Sequence, residues 1–581
     1  MDVKGAFETQ YAWLKGYNGQ IFTDDVLAAI VVTILLVPQC LAYALLAGLP
    51  PQLGIYASIF PLIAYVLLGS SNYLNVGPTA VISLMTAAAI AALPPETRVA
   101  SAGALALLTG GMLIVAGLLK AGFIMNFVSR PVVSAYITGA ALLIIFSQAK
   151  HVLGVSVDSQ TAFGMVYNLL SQASEAKPLA FITGASAIFL FVLARGALPY
   201  LFVKSGVRAK IAKLISRMAP IVIIVAFVLI SGYLDFGGKG GLAIVGDVPA
   251  GLPPWELPNV SVPAYENLLI PALVIAIVAF VDSTSTAQEL ASRKRSRVDT
   301  NKELLGIGAA NAVAGLSAGY PINGSMSRSA VNFSAGGKTP LVGLMVAAFM
   351  ALTAVFLTPI LYNLPLSVLA ALIIVACLNL LDFRSLWRTW MYSRADGMTA
   401  LATFFAVLIL GVQWGVLAGV VLAMSLHIRR SLTPHMPLVG RFPGTEHYRD
   451  AGRFNVETIE TVKTLRIDDS LYYANARFLE DRVAKIVSDY PKMTDLVIMC
   501  TGVSYIDASA LSSLQEINRR LRGLGARLHL SAMQSAVRER LYHSDFLEKL
   551  NGNVYLSQHD AMIDLQPEPD WSQFSDHIDI H

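Results

Sequence analysis

From about Leu27 to Leu426 the chain returns repeatedly to apolar runs of 17–25 residues, the length at which an α-helix crosses the hydrocarbon of a bilayer. Lipid offers no water to unpaired backbone groups, so such runs are confined to helices, and any break at that depth must be buried in protein or line a cavity. Fourteen segments fit, near 26–47, 53–69, 76–93, 101–119, 122–147, 178–195, 215–233, 267–290, 303–319, 325–335, 341–359, 365–381, 396–411 and 412–430. A chain 55% hydrophobic, 14% charged and of mean hydropathy +0.61 is an integral membrane protein on composition alone. From His427 onward the residues read as an ordinary aqueous domain.

The expected organisation is an N-terminal cytoplasmic segment at 1–25, a transmembrane domain at 26–430, a linker at 431–461, a small α/β domain at 462–565 and a tail at 566–581. Asp2, Lys4, Glu8 and Lys15 at the start argue against a removable signal peptide. Basic loops carrying Arg195, Lys204, Arg208, Lys210, Lys213 and Arg217, then Arg293, Lys294, Arg295 and Arg297, then Arg384, Arg388 and Arg394 are cytoplasmic by the positive-inside rule, whereas Asp235 to Glu266 holds only Lys239. An even span count then places both termini in the cytoplasm. The net charge of +4 is too small and dispersed for a nucleic-acid partner. Cys40, Cys377 and Cys500 match neither a disulfide framework nor a zinc site.

Two segments are interrupted. The third opens as "NVGPTAVISLMTAAA" from Asn75, and the tenth follows "YPINGSMSRSAVNFSAGGKTP" from Tyr320 to Pro340. Each has Gly or Pro at a helix opening, each is preceded by Tyr and Asn, and each is third in its set of seven. That pattern points to a 7+7 inverted repeat whose half-helices meet at the midplane. Each helix start presents about half a positive charge to anions. Arg328 is the only charge between Glu303 and Lys338, and it stands in a first turn where the helix dipole disfavours a cation. It needs either an anion or a structural carboxylate. Asp282 is the sole acid between Glu266 and Glu289, with Thr286 one turn on; this pair and free carbonyls suit a hard cation, and the carboxylate alone suits a proton. Two half-charges and Arg328 sum to about +2, and ionised Asp282 lowers this to about +1, which makes cation-coupled uptake of a divalent anion reasonable.

The segments "VPQCLAYALLAGLPPQLGIYASIFP" (37–61), "NVGPTA" (75–80), "DTNKELLGIGAANAVAG" (299–315) and "YPINGSMSRSAVNFSAGGKTPL" (320–341) resemble the SulP family of anion transporters, the bacterial counterparts of animal solute carrier family 26. The resemblance implies a fourteen-span inverted repeat with core and gate domains, elevator-like movement, a dimer, and an anion site between spans one, three, eight and ten. It implies that Gln39 and Tyr43 face the anion, with Thr79 and Ala80 supplying amides at one half-helix and Ser325, Met326 and Arg328 at the other. Asp282, Thr286, Gly324 and Ser325 together are more similar to sodium-coupled bicarbonate transporters of the family, while many members have Glu at the position of Asp282; the coupling ion stays open between Na⁺ and H⁺. The C-terminal "GVSYIDASALSSL" (502–514) resembles the STAS domain, with Asp507 as a helix N-cap. In the domain's signalling relatives the residue after that Asp is a phosphorylated Ser; here it is Ala508, with Ser509 next.

No HExxH or Walker A pattern occurs, so an enzyme is not expected and transport should be secondary, with no required cofactor and Na⁺ as an optional coupling ion. The expected function is secondary active transport of an inorganic oxyanion, sulfate or bicarbonate, across the inner (plasma) membrane. Alternatives are an anion exchanger, a dicarboxylate transporter, an anion channel or a membrane-tethered receptor. Expected partners are the small anion, membrane lipid, a second copy of the chain and a regulator at the STAS domain.

Overall fold

The structure is a computed structural model that describes residues 16–123, 129–155, 159, 161–206, 209–238, 240–378 and 380–565. The N-terminal residues before Gly16, Arg208, Lys239 and the tail 566–581 lie outside the described residues. Two compact units follow one another, Met1–Ala423 and Met424–His581.

The first unit is helical: α1 (Gly19–Leu46), α2 (Gln52–Tyr56), α3 (Phe60–Leu68), α4 (Ala80–Ile90), α5 (Arg98–Leu118), α6 (Arg130–Leu153), α7 (Ala162–Ser171), α8 (Pro178–Lys204), α9 (Ala209–Tyr233), α10 (Val262–Arg293), α11 (Thr300–Leu316), α12 (Met326–Ala335), α13 (Leu341–Leu352), α14 (Leu366–Leu378), α15 (Phe383–Tyr392), α16 (Arg394–Leu410) and α17 (Val412–Leu432). Two-residue strands β1 (Val76–Gly77) and β2 (Asn323–Gly324) precede α4 and α12. Every apolar segment anticipated from sequence carries helix, but among the described residues only eight helices are long and apolar enough to cross a bilayer alone. Several of the others are short or broken; the second expected span, for example, is α2 and α3 separated by a turn at Ala57–Ile59.

Several boundaries differ from the sequence reading. Helix α1 starts at Gly19 rather than 26 because Asn18 caps it, accepting from Ile21 N at 3.0 Å. The span placed at 122–147 begins at Arg130, where Pro131 opens α6. The basic loop after span twelve is itself helical: α15 buries Leu386 and exposes Phe383, Trp387, Met391 and Tyr392. Its two-sidedness over ten residues was too short a period to notice in sequence.

Glycines decide how closely α5 and α11 cross. A Cβ on Gly110 would lie 2.4 Å from Ala312 N, one on Gly315 2.5 Å from Gly103 O, and one on Gly308 2.9 Å from Ile114 N. The two backbones therefore touch, as small residues allow between membrane helices. Alongside, the fully buried Glu303 in the first turn of α11 accepts from Tyr65 Oη at 2.9 Å, Ser70 N at 2.9 Å and Ser70 Oγ at 2.7 Å, tying the end of α3 to α11. A second buried carboxylate, Asp25 of α1, accepts from Lys338 N at 2.7 Å and Thr339 Oγ1 at 2.6 Å, just past the end of α12.

Apolar side chains form two large clusters in this unit. One joins α1–α5 to α10–α13 and takes in residues of α6, α7, α16 and α17; the other joins the C-terminal part of α1 and the start of α4 to α6, α8, α9 and α14. Tyr43, Leu46 and Ala80 belong to the second, and α1, α4 and α6 contribute side chains to both.

The second unit holds a six-stranded sheet: β3 (Leu438–Arg441), β4 (Tyr448–Asp450), β5 (Val462–Arg466), β6 (Asp495–Met499), β7 (Arg527–Ser531) and β8 (Val554–Tyr555), in the order β4-β3-β5-β6-β7-β8. The four strands from β5 to β8 are parallel, and β5, β6 and β7 are the near-continuous buried runs that such strands require. Helices α18 (Ala476–Asp489) and α19 (Ala508–Gly523) connect them. The segment expected as a linker, 431–461, instead contributes β3 and β4, which pair antiparallel at the sheet edge. Their Pro- and Gly-bounded three- and four-residue lengths gave no period to read. Asp507 caps α19 by accepting from Ala510 N at 2.8 Å, and also accepts from Tyr473 N at 2.8 Å.

Between β6 and β7, His529 is buried beside Asp495. Asn553 N donates to His529 Nδ1 at 3.0 Å, leaving Nε2 to donate to Asp495 Oδ1 at 3.0 Å. Burial raises the Asp495 carboxyl, but Arg527 Nε and Thr494 Oγ1, each at 2.7 Å, and His529 outweigh it and hold the group below its usual value; burial lowers His529. Both groups resist protons that the unfolded chain would take up, so stability falls as pH drops below about 6.5, first through His529 and then through Asp495. Melting of the second unit should therefore move to lower temperature between about pH 7 and 3, and Asp495→Asn should flatten the part of that curve below about pH 4. For the first unit, Glu303→Ala strands the Tyr65 and Ser70 donors and should cost about 1–3 kcal/mol, seen as a lower melting temperature of the detergent-purified chain.

Candidate anion site

The two interrupted segments meet. β1 and β2 pair antiparallel, with Val76 opposite Gly324 and Gly77 opposite Asn323, so the starts of α4 and α12 are brought together. Further bonds lock the junction: Ser325 N donates to Asn75 O at 2.9 Å, Asn75 N to Ser329 Oγ at 2.8 Å, and Gly324 N to Ser283 Oγ at 2.7 Å, which ties in α10. A Cβ on Gly324 would lie 2.7 Å from Leu74 Cδ1, so a larger residue here would have to displace that side chain. At ten and eleven residues, α12 and α4 are about 15–17 Å long, half a bilayer. Gly336, left-handed at φ 103°, ends α12. Arg98 ends α4, donating from Nε to Leu93 O and from Nη2 to Ala91 O, each at 3.1 Å, a cation placed where the helix dipole favours one.

Arg328 is 1% exposed and is held by neutral groups. Nε donates to Asn75 Oδ1 at 2.8 Å and Nη1 to Pro78 O at 2.9 Å, while Nη2, next to Gly77, has no hydrogen-bond partner among the described residues. The sequence reading left a structural ion pair with Asp282 open. Among the described residues no carboxylate pairs with Arg328, and Asp282 is engaged elsewhere, its Oδ2 accepting from Asn323 Nδ2 at 2.6 Å. Two of the guanidinium's five N–H donors thus have hydrogen-bond partners, both neutral, and among the described residues no carboxylate opposes its charge.

The remaining residues fall as follows. Gln39 and Tyr43 sit one turn apart on α1, next to Pro38; Gln39 Oε1 is buried with no partner among the described residues, and Tyr43 is 7% exposed. Thr79 and Ala80 are the N-cap and first residue of α4; Ser325 and Met326 are those of α12. Ser325 caps its own helix, accepting from Arg328 N at 3.5 Å. Thr79 makes no side-chain bond to the first turn of α4; its hydroxyl donates to Asn323 Oδ1 at 2.5 Å. Asp282 and the buried Thr286 share α10, and the bond to Asn323 brings Asp282 to β2 beside Gly324. Asn75, Asn323, Ser283 and Ser329 carry the junction; the asparagines stand before each half-helix in the sequence, whereas nothing in the sequence marks Ser283 or Ser329.

A buried cation with neutral partners beside an uncapped helix start is suited to holding a small anion. The sequence model of the Sulfate permease family matches residues 22–403, and that of the STAS domain matches residues 453–561. The chain belongs to the sulfate permease family. This permease is 34% identical over 548 residues to a probable sulfate transporter of Mycobacterium tuberculosis, covering 94% of this chain and 93% of that one. It is 30% identical to the chloroplastic sulfate transporter 4.1 of Arabidopsis thaliana (95% and 81% covered) and 32% identical to human solute carrier family 26 member 6 (81% and 63%). The fold matches that of murine solute carrier 26 family member A9 with a TM-score of 0.87 at 23% identity, covering 98% and 96% of the two chains. The transmembrane domain of a cyanobacterial bicarbonate transporter matches at 0.59 and 23%, covering 69% and 98%. This permease is a multi-pass membrane transporter of an anion-transporting family with a C-terminal STAS domain, and its relatives are transporters rather than enzymes.

Replacing Arg328 with lysine keeps the charge and loses the fork that grips Asn75 and Pro78. Arg328→Lys should lower the melting temperature of the purified permease, because an ammonium on a flexible stem does not hold the start of α4 in place.

Proposed function

We propose that this permease is a secondary transporter of inorganic oxyanions, with sulfate and bicarbonate the leading substrates. The anion lies against the opening of α4, at the N-cap Thr79 and the first-turn amides from Ala80 onward, with the opening of α12 at Ser325 and Met326 completing a positively polarised cradle. Arg328 supplies fixed charge behind it, and Gln39 and Tyr43 on α1 close the site. The observation that carries this reading is the buried guanidinium whose described partners, Asn75 and Pro78, are both neutral. Burying a charge without an opposite one is costly, and a transported anion removes that cost when it binds.

Asp282, with Thr286, Gly324 and Ser325, is the proposed site of the coupling cation, Na⁺ or H⁺. Support comes from its place on α10 beside β2, within two hydrogen bonds of Thr79. The names of the relatives favour sulfate; that of the cyanobacterial structure favours bicarbonate. Movement follows the seam between the two clusters of helices, where Tyr43, Leu46 and Ala80 meet α6, α9 and α14, in the manner of an elevator. The transporter resides in the inner (plasma) membrane as a dimer with both termini in the cytoplasm, and the STAS domain supports dimerisation or receives a regulator.

Purified permease in proteoliposomes should take up labelled sulfate or bicarbonate saturably, faster with an inward Na⁺ or H⁺ gradient. Arg328→Ala should lower uptake at least about 100-fold, the scale of removing a fixed charge partner. Asp282→Asn should remove the response to the cation gradient. Uptake retained in Arg328→Ala overturns the anion site; an unchanged gradient response in Asp282→Asn overturns the cation site.

A further inference from the structure

The two half-helices share a plan but their openings are treated differently. An N-cap serine or threonine ordinarily turns its oxygen back to accept from an amide two or three residues on, closing one of the donors a helix start leaves open. Ser325 does this for α12, accepting from Arg328 N at 3.5 Å. Thr79 stands at the same place before α4, with an extended backbone (φ −137°, ψ 157°) that suits capping, and makes no such bond. Its Oγ1 donates instead to Oδ1 of Asn323 at 2.5 Å. Asn323 is fully buried, and its other end is fixed because Nδ2 donates to Asp282 Oδ2 at 2.6 Å. A carboxylate oxygen accepts, so it turns the amide nitrogen towards itself and leaves Oδ1 facing Thr79. The first backbone bond within α4 is Ser83 N to Thr79 O, so the amides of Ala80, Val81 and Ile82 are the donors at issue.

We propose that Asn323 is a positioning residue that holds the Thr79 hydroxyl away from its own helix, keeping the opening of α4 uncapped for an anion. This rests on the anion site proposed above and adds to it an unequal division of labour: α4 supplies open amides, while α12 is closed by its own serine and contributes Arg328. Asn323 touches neither anion nor cation. It acts through Thr79, and its orientation is set by Asp282, so it links the two proposed sites through two hydrogen bonds. Without the asparagine, Thr79 would swing round and occupy amides that the anion needs, a competition as strong as an ordinary N-cap.

The test is calorimetric titration of sulfate and of bicarbonate into the full-length permease in detergent, with thermal unfolding of every variant. Asn323→Ala should weaken binding about ten-fold, the equilibrium equivalent of a cap, and Asn323→Leu, closer in volume, should do the same. The double variants Asn323→Ala/Thr79→Ala and Asn323→Leu/Thr79→Ala should regain most of the lost affinity, because alanine at 79 has no oxygen with which to cap α4. Their melting temperatures should stay lowered, since the bond to Asp282 is still missing. Recovery of affinity without recovery of stability is what a merely structural asparagine does not give. Binding unchanged in both single variants, or double variants no better than the singles, overturns the proposal. Ala80→Pro separates this from failure of the underlying reading: it removes one amide at a position where proline is tolerated and should weaken binding. If Ala80→Pro binds as the parent does, or the parent binds neither anion, the anion site at α4 is what fails.

Discussion

The two antiparallel residue pairs that join β1 to β2 hold the architecture of the membrane unit together. They allow the chain to leave helical conformation twice between apolar segments, with the two breaks bonded to each other inside the protein. Each strand supplies what the other segment lacks: Asn75 and Pro78 give acceptors to Arg328, while Ser329 and Asn75 give acceptors to backbone amides of the opposite segment. The result is a guanidinium fixed by hydrogen bonds to neutral oxygens. Its geometry is settled without its charge being cancelled, which is the condition for attracting an ion that must later leave.

Around this junction the fold is pinned at a few places. Asp25 of α1 holds the backbone just after α12, Glu303 holds the end of α3 against α11, and glycines at 103, 110, 308 and 315 let α5 and α11 touch. Both carboxylates are saturated by donors, so neither competes for the transported charge. Asp282 differs: its one described hydrogen bond is to a side-chain amide that also receives Thr79. A buried acid with so light a hold is better suited to exchanging a cation than to bracing helices.

Much of this was legible in the sequence, for physical reasons. Apolar runs report helices because lipid forbids alternatives, and Gly77-Pro78 and Gly324 report helix breaks because a proline lacks an N–H and a glycine fits where Leu74 crowds. Arg328 and Asp282 stood out because isolated charges in such surroundings are rare. What stayed hidden was pairing. Nothing in the one-dimensional order says that Asn323 faces Thr79 and Asp282, that Arg328 takes Asn75 rather than Asp282, or that one N-cap is used and the other is not. The short strands β3 and β4 and the helix α15 were missed because their lengths are below what a period reveals. The soluble unit was more readable, since β5, β6 and β7 are buried along most of their length and alternate in sequence with helices.

The central claim, that the opening of α4 and Arg328 together receive a small oxyanion, is tested most directly by a structure of the permease in selenate, whose selenium marks its position by anomalous scattering. The account predicts a peak within hydrogen-bonding reach of the Ala80, Val81 and Ile82 amides, on the side of the guanidinium. A peak elsewhere in the membrane unit, or none there while transport of the ion is demonstrated, would contradict it.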